Sequence, residues 1–203
     1  MSTERNNWTT KPLHEIADTQ LGKMLNKSKQ TGEFATPYLR TDNIHWGRFD
    51  LSEIKEMDIK PLERENYMAR KGDILMCEGG ASGRSAIWNH DYEIAFQNHV
   101  HRIRPKEESE ILSTYLLYYF EWYIKNGYAN HLIKGVTIPS LSQSGLRSIP
   151  IVYPSYVEQV RLVESLDDNL SRLDSAVRDI QKAQIRATQF RQSIIQSALN
   201  GGL

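Results

Sequence analysis

The last quarter of the chain, Ser155–Asn200, constrains the fold most because it predicts one uninterrupted helix. Pro154 ends the preceding segment, and the first residue of this stretch forms a Ser-x-x-Glu capping box with Glu158. A Gly-Gly pair supplies the stop. At 1.5 Å per residue the helix is about 65 to 70 Å long. We expect residues 1–154 to form a globular head and residues 155–203 to form a separate helical region.

Apolar residues along this segment recur at alternating spacings of three and four, which is the heptad pattern of a coiled coil. Such a seam is buried only against another helix, so we expect the segment to pair. Towards its end two spacings of three follow one another, a stammer that locally overwinds a coiled coil, and the seam narrows to alanine. The predicted interface consists of Val163, Leu166, Leu170, Leu173, Val177, Ile180, Ala187, Phe190 and Ile194.

Charge is distributed unevenly along the same segment. The first half carries mostly acidic side chains and the second half mostly basic ones. One interpretation is that these charges complement the dipole of the helix itself. The alternative is antiparallel pairing with a similar helix, which would lay the acidic half of one beside the basic half of the other. The opposed groups are Glu164, Asp167 and Asp168 against Lys182, Arg186 and Arg191.

Length and composition limit the classes of protein to which this chain can belong. A chain of 203 residues can hold one domain of about 150 residues in addition to the helix. The 25 basic and 25 acidic side chains balance, which counts mildly against a non-specific nucleic-acid binder. The single cysteine, Cys77, suits a reducing cytoplasm, and no apolar run approaches a membrane span. We expect a soluble, cytoplasmic α+β protein in which short strands and helices form the head.

Two segments of the head are candidate ligand-binding loops. The polar stretch Asp18–Phe34 carries Lys23, Lys27 and Lys29; it is either a solvated loop or a functional one whose lysines reach phosphates. The glycine-rich stretch Glu78–Arg84 lacks the spacing of a phosphate-binding P-loop. It remains a tight connection whose backbone can approach a ligand closely, with an arginine beside it.

The stretch Ile94–Arg104 is the clearest alternating strand and carries further polar candidates. Its pattern places Gln97, His99 and His101 on one face and Asn98 on the other. The two histidines lack a further ligand at metal spacing, so contact with a neighbour or a nucleic acid is favoured over a metal site. The remaining polar candidates are Asn43 in a short strand and Lys134 in a polar loop.

Catalytic patterns are weak or missing. Neither the Asn- or Asp-Pro-Pro-aromatic motif of an adenine methyltransferase nor a Ser-His-Asp triad is legible in the chain. Asp42, Glu53 and Lys55 match a magnesium nuclease loosely, and the last two read equally well as part of a solvated turn. These observations favour a binding protein.

Several short motifs, taken in order, resemble the specificity subunit of type I restriction-modification systems. They are Tyr38-Leu-Arg-Thr-Asp-Asn-Ile44, Gly72-Asp-Ile-Leu75, Gly80-Ala-Ser-Gly-Arg84, Gln97-Asn98, Leu146-Arg-Ser-Ile-Pro150, Pro154, Glu158-Gln159 and the terminal Arg191–Leu203 stretch. The resemblance spans nearly the whole chain.

The resemblance implies a non-catalytic DNA-reading subunit without a cofactor of its own. Its partners would be methyltransferase subunits, which use S-adenosylmethionine to methylate adenine, and a motor subunit that cuts DNA. The usual family member carries two recognition domains and two long helices, whereas one of each is present here. The chain is therefore either a half-size subunit or a fragment, and a half-size subunit would rebuild the usual arrangement as an antiparallel homodimer.

Two functions follow from these observations. The first is sequence-specific recognition of double-stranded DNA, with an interrupted palindrome as the target of a dimer. The alternative is a coiled-coil interaction module whose head binds protein. For the first function we predict phosphate contacts from loop cations and base contacts from loop amides and histidines. The predicted DNA-binding residues are Lys23, Lys27, Lys29, Asn43, Arg84, Gln97, Asn98, His99, His101 and Lys134.

Overall fold

The computed structural model describes residues 7–26, 28, 30–79, 82–107, 110–135 and 139–202. They form the expected α+β fold, in which many short strands precede one long helix. The strands are β1 (Thr9–Pro12), β2 (Ala17–Leu21), β3 (Ala35–Leu39), β4 (Ile44–His45), β5 (Arg48–Phe49), β6 (Lys55–Asp58), β7 (Met68–Ala69), β8 (Ile74–Cys77), β9 (Ser85–Ile87), β10 (Ile94–Phe96), β11 (Val100–Pro105), β12 (Ile133–Lys134), β13 (Ser140–Leu141) and β14 (Pro150–Tyr153).

The helices are shorter, apart from the last. They are α1 (Leu13–Ile16), α2 (Arg64–Tyr67), α3 (Ser113–Lys125), α4 (Gln143–Arg147) and α5 (Tyr156–Leu199), with 3-10 turns at Thr41–Asn43 and Pro61–Glu63. Within the described residues, none of these helices combines the length and the apolar character needed to span a bilayer.

Two four-stranded sheets organise the head. Their strand orders are β6-β3-β10-β7 and β2-β11-β8-β9, and β10 runs parallel to β3 while the other pairs are antiparallel. One buried apolar cluster draws Leu39 and Phe96 from the first sheet and Leu75, Cys77 and Val100 from the second. The two sheets therefore share a core.

The predicted single strand Ile94–Arg104 is wrong, because the chain leaves one sheet and enters the other within it. The segment Gln97–His99 forms a turn between β10 and β11, and His99 has a positive φ of 73°. Hydrophobic alternation continues on both sides of the turn, and no glycine or proline marks it. The sequence pattern alone therefore concealed the break.

The predicted loop Asp18–Phe34 is also partly wrong. Its first residues lie in β2, which pairs with β11. Ala17 and Thr19 are buried in that strand while Asp18 is exposed. The polar side chains on the outer face made this strand look like a loop.

A two-stranded pair, β1 with β14, closes the head next to α3. The Tyr115 hydroxyl donates to the Val152 carbonyl at 2.8 Å, and the Tyr119 hydroxyl donates to the Pro150 carbonyl at 2.7 Å. These tyrosines supply hydrogen-bond donors to alternate carbonyls of β14, which are groups that an edge strand would otherwise expose. Two aromatic residues of α3 thus stabilise the fold through their hydrogen bonds to β14.

The chain divides into two compact units, Met1–Val160 and Arg161–Leu203. The helix α5 contains 44 residues, which corresponds to about 66 Å at 1.5 Å per residue. It ends as the glycine pair predicts: Gly201 has a φ of 75°, and the amide of Gly202 donates to the Ser197 carbonyl at 2.9 Å. This 6→1 bond is typical of a Schellman C-cap.

Candidate nucleic-acid interface

Described residues of the glycine-rich loop after β8 are hydrogen-bonded to several other loops. The amide of Leu141 donates to the Glu78 carbonyl at 2.8 Å, and Gly79 forms a bridge with Ser140. The Ser82 hydroxyl reaches the Pro139 carbonyl at 2.7 Å. The β12–β13 hairpin is thereby fixed to the loop, and the exposed Lys134 lies opposite Ser140 in that hairpin.

The turn at Gln97, Asn98 and His99, here called the 97–99 turn, lies beside the same loop. The amide of Glu78 donates to the His99 carbonyl at 2.8 Å. On its other side, the amide of Asn98 donates to the Lys23 carbonyl at 2.9 Å, and the amide of Lys23 donates to the Phe96 carbonyl at 3.0 Å. The turn is therefore held by backbone bonds from two directions.

Gly22 makes this close approach possible. A Cβ atom at this position would lie 2.1 Å from the carbonyl oxygen of Gln97 and 2.5 Å from that of Phe96. Only glycine fits between these backbones. In the sequence, only the glycine immediately before Lys23 pointed to this close approach. The sequence alone did not show which strand the glycine approaches.

We refer to the described residues of the glycine-rich loop (Glu78, Gly79 and Ser82–Arg84), the 97–99 turn, the paired strands β12 and β13 and the segment Gly22-Lys23 together as the loop cluster. It brings together six of the predicted DNA-binding residues, whereas Lys27 and Lys29 lie outside the described residues. The six residues are Lys23, Arg84, Gln97, Asn98, His99 and Lys134.

Lys23 belongs to the cluster but is already paired. Its ammonium lies 2.6 Å from Glu63 Oε2 and donates to the Asp58 carbonyl at 2.8 Å. The hydrogen bond from Lys23 holds the pKa of Glu63 below its ordinary value. This ion pair neutralises the lysine, which argues against its predicted contact with a phosphate.

Asn43 and His101 are buried, which argues against the predictions that they read bases. Asn43 is 4% exposed, and its amide group bonds the backbone of Arg40, Asp50 and Glu53. His101 is fully buried, and its Nε2 lies 3.0 Å from the Leu141 carbonyl. Burial lowers the pKa of this imidazole, which favours the neutral ring. Both side chains therefore hydrogen-bond the backbone of neighbouring segments inside the head.

Arg84 connects the glycine-rich loop to the turn after β3. Its Nη2 donates to the Thr41 carbonyl at 2.8 Å, and the Cys77 thiol lies 3.7 Å from the same oxygen. Burial raises the pKa of that thiol. Arg84 is half-buried, and a guanidinium offers five N–H donors. A phosphate contact by the remaining donors stays a prediction.

The carboxylates of the magnesium nuclease hypothesis are bound to an arginine instead. Arg40 places its two terminal nitrogens 3.6 Å from Asp42 and 3.5 Å from Glu53. Lys55 lies 3.7 Å from the same glutamate. Among the described residues, no group of three or more His, Cys, Asp or Glu side chains could hold a metal ion. These ion pairs of Asp42 and Glu53 argue against the nuclease.

The start of α5 is attached to the head by Gln159, which is fully buried. Its side-chain oxygen accepts from the Leu112 amide at 2.9 Å, and its nitrogen donates to the carbonyls of Glu110 and Pro154 at 2.9 and 3.0 Å. The Glu-Gln motif contained this residue, but the sequence did not show that the glutamine is internal.

Glu110 also joins β1 and β14 near that point. Its Oε1 accepts from the Lys11 ammonium and from the Tyr153 hydroxyl, both at 2.6 Å. Burial, together with the hydrogen bond to Glu110, raises the pKa of Tyr153 to about 12. The first turn of α5 therefore begins on a fixed part of the head.

The seam of α5 is largely exposed. The exposed fractions are 41% for Leu166, 41% for Leu170, 59% for Leu173, 44% for Val177, 58% for Ile180, 68% for Phe190 and 44% for Ile194. Ala187 is also exposed. Val163 differs from them, since it is only 8% exposed.

Comparison with protein families identifies the class. The family described as Type I restriction modification DNA specificity domain matches residues 5–185. Because this match covers most of the chain, the protein belongs to that family.

Individual relatives agree with this assignment. The chain is 24% identical to the EcoKI specificity subunit of Escherichia coli strain K12, over 97% of this chain and 43% of the relative. It is 26% identical to the EcoBI specificity subunit of Escherichia coli, over 81% of this chain and 35% of the relative. The chain thus spans less than half the length of the curated relatives it matches.

Solved structures share the fold. The HsdS subunit from Thermoanaerobacter tengcongensis superposes with a TM-score of 0.68 at 20% identity, over 98% of this chain and 46% of that chain. A structure from work on assembly and conformational transition of the type I R-M system gives a TM-score of 0.75 at 20% identity, over 98% and 47%. At 20% sequence identity, this similarity shows that the fold is shared and nothing more.

Proposed function

We propose that the head reads a short DNA sequence and that the chain directs the methyltransferase and restriction subunits of a type I system to a bipartite target. Family membership supports DNA specificity, and one structural observation carries the proposal. The 97–99 turn is held on both sides by backbone bonds and lies beside the glycine-rich loop, which also bonds the β12–β13 pair that carries the exposed Lys134. A rigid scaffold that presents polar loop side chains is the arrangement that base recognition requires.

The proposed contacts divide by chemistry. Gln97, Asn98 and His99 can hydrogen-bond base edges, because amides and imidazoles carry directional donors and acceptors. Lys134 and Arg84 supply positive charge for phosphates. Chemistry on the DNA is assigned to the partner subunits, of which the methyltransferase would hold S-adenosylmethionine.

We also propose that two copies pair through α5. The seam offers a continuous row of partly exposed apolar side chains, and burying them against a second helix would remove that surface from water. Antiparallel pairing would place Asp167 near Arg186 and set Leu166 opposite Ala187, so that a large residue faces a small one at that point of the seam. Parallel pairing would bring like charges together.

Cysteine cross-linking tests the direction of pairing. The only native cysteine is buried, so engineered thiols would report the helix contact. In the proposed register the two-fold axis passes near Val177. Val177→Cys should therefore cross-link to itself, whereas Leu166→Cys should cross-link only when Ala187→Cys is also present. Efficient cross-linking of Leu166→Cys alone would indicate parallel pairing and contradict the proposal.

A second candidate function is an interaction module without DNA specificity. Trp122 and Tyr128 favour it, because each is 50% exposed and their ring centroids lie 4.9 Å apart. Exposed aromatic pairs are typical of protein interfaces. The neutral net charge favours it as well.

Selection from randomised duplex DNA, with and without a methyltransferase partner, separates the two functions. Enrichment of a short sequence motif supports DNA recognition. No enrichment in either condition supports the interaction module. Because phosphate contacts depend on salt, the selection should be made at a fixed, near-physiological salt concentration.

A further inference from the structure

His99 has an unusual backbone conformation. Its φ of 73° makes it the sole non-glycine residue with a positive φ in the described part of the chain. Residues with a Cβ are uncommon in this left-handed region, although asparagine, aspartate and histidine tolerate it better than most. Strain of this kind persists only where the surroundings impose it, and it is concentrated at functional sites.

The surroundings that impose this conformation are backbone bonds on both sides of His99. Its carbonyl accepts from the Glu78 amide at 2.8 Å. The following amide, of Val100, donates to the Gln97 carbonyl at 3.1 Å, and Asn98 is bonded to the segment that contains Lys23. The turn cannot relax by rotating His99 alone, so the direction of its Cα–Cβ bond is fixed.

The imidazole itself is exposed and oriented by a carboxylate. His99 Nδ1 lies 3.0 Å from Glu78 Oε2, with 62% of the histidine side chain and 15% of the glutamate side chain exposed. An ionised carboxylate only accepts hydrogen bonds, so Nδ1 carries the proton. The second ring nitrogen, Nε2, is left for a ligand. It accepts when the ring is neutral and donates when the ring is protonated.

We propose that His99 is a specificity-determining residue that contacts a base edge through Nε2, and that Glu78 is the positioning residue that fixes its ring. This inference rests on the proposed DNA recognition and deepens it. A neutral ring would accept from the amino group of adenine or cytosine in the major groove, and a protonated ring would donate to guanine N7 or O6. The base preferred at the contacted position therefore reports the form of the ring that binds.

The test compares variants of the full chain against every single-base change of the target selected by the unmodified protein. His99→Asn keeps a residue that tolerates the left-handed conformation but removes the imidazole. His90→Asn is the matched control, because it makes the same substitution at another exposed histidine, on a separate turn. Glu78→Ala leaves the imidazole in place without its orienting carboxylate.

His99→Asn should lose about five- to tenfold of the discrimination at one position of each half-site, as expected for one hydrogen bond. Binding to unrelated DNA should stay unchanged. Glu78→Ala should weaken the preference at the same position, and His90→Asn should change none. The unfolding temperature of His99→Asn should stay close to that of the unmodified protein, since asparagine also tolerates the left-handed conformation.

Two outcomes would overturn the inference. If His99→Asn keeps full discrimination at every position, the imidazole reads no base. If it weakens binding to all sequences equally, the histidine contacts a phosphate instead. Failure of the proposed function looks different, because the unmodified protein would then enrich no motif at all.

Discussion

The head and the helix bury their apolar side chains in opposite ways. In the head, Leu39, Phe96 and Val100 have no exposed surface, and the loops that carry the candidate contacts are bonded to one another. Along α5, seam residues such as Leu173 and Phe190 are 59% and 68% exposed. The loops of the head are therefore fixed by contacts within the head, whereas the seam of α5 stays exposed and is the surface that we propose to pair with a second copy.

The largest expected effect concerns the proposed pairing of α5 through its exposed seam. Leu170→Asp or Leu173→Asp would bury a charge in the paired seam, which is costly without a counter-charge. We expect self-association, measured by analytical ultracentrifugation, to weaken by about 100-fold or more while the thermal unfolding of the head is unchanged.

Ser175→Asp is the matched control for these variants, because it adds the same charge on the opposite face of α5. It should leave self-association intact. A Leu173→Asp variant that associates as tightly as this control would show that the seam does not pair two copies.

The next effect concerns the residue that attaches the helix to the head. Gln159→Leu removes the partners of the Leu112 amide and of two carbonyls, and each buried group left unpaired costs about 1–3 kcal/mol. We expect a lower free energy of unfolding in urea. Gln181→Leu, on an exposed part of α5, should have little effect. Equal stability of the two variants would contradict the internal role of Gln159.

A smaller effect tests the rigidity of the loop cluster. Gly22→Ala forces a methyl group against the Gln97 carbonyl and should destabilise the head by about 1–3 kcal/mol. Gly145→Ala is the control, since its Cβ would meet no atom closer than 3.3 Å. Denaturant unfolding measures both. If Gly22→Ala were as stable as Gly145→Ala, the 97–99 turn would be more adaptable than the structure indicates.

The smallest effect is acid sensitivity at Asp58. Hydrogen bonds from the backbone amides of Thr31, Gly32 and Phe34 and from the Thr31 hydroxyl hold the pKa of this carboxyl below its ordinary value. A lowered folded-state pKa contributes stability above the ordinary carboxyl pKa, and that stability is lost as pH falls through the folded value.

We therefore expect the stability difference between the unmodified protein and Asp58→Asn to be largest near neutral pH and to shrink below about pH 4. Thermal unfolding between pH 2 and 7 measures it, with Asp18→Asn as an exposed control. A difference that stays constant with pH would mean that the Asp58 contacts do not depend on its charge.

Sequence reasoning succeeded where structure follows from local pattern. The heptad spacing and the glycine stop predicted α5, and the glycine-rich stretch predicted a connection between two strands, which are β8 and β9. It failed where long-range pairing decides. The break at His99 depends on the change from one sheet to the other, which no local periodicity records.

The same limit applies to the candidate site. Asn43 and His101 are the residue types that read bases, and the sequence could not show that the fold uses their side chains internally. The sequence did not single out Glu78, because its side chain contacts the ring of His99, which is 21 residues away in the chain. The type of a polar residue was therefore informative only after its burial was known.

The most direct test of the whole account is the symmetry of the selected DNA target. We predict that the unmodified protein, with its methyltransferase partner, selects two identical inverted half-sites with a fixed spacer, because the proposed dimer would hold two heads on one antiparallel helix pair. Leu173→Asp should select one half-site alone. An asymmetric target for the unmodified protein, or the same bipartite target for Leu173→Asp, would contradict the account.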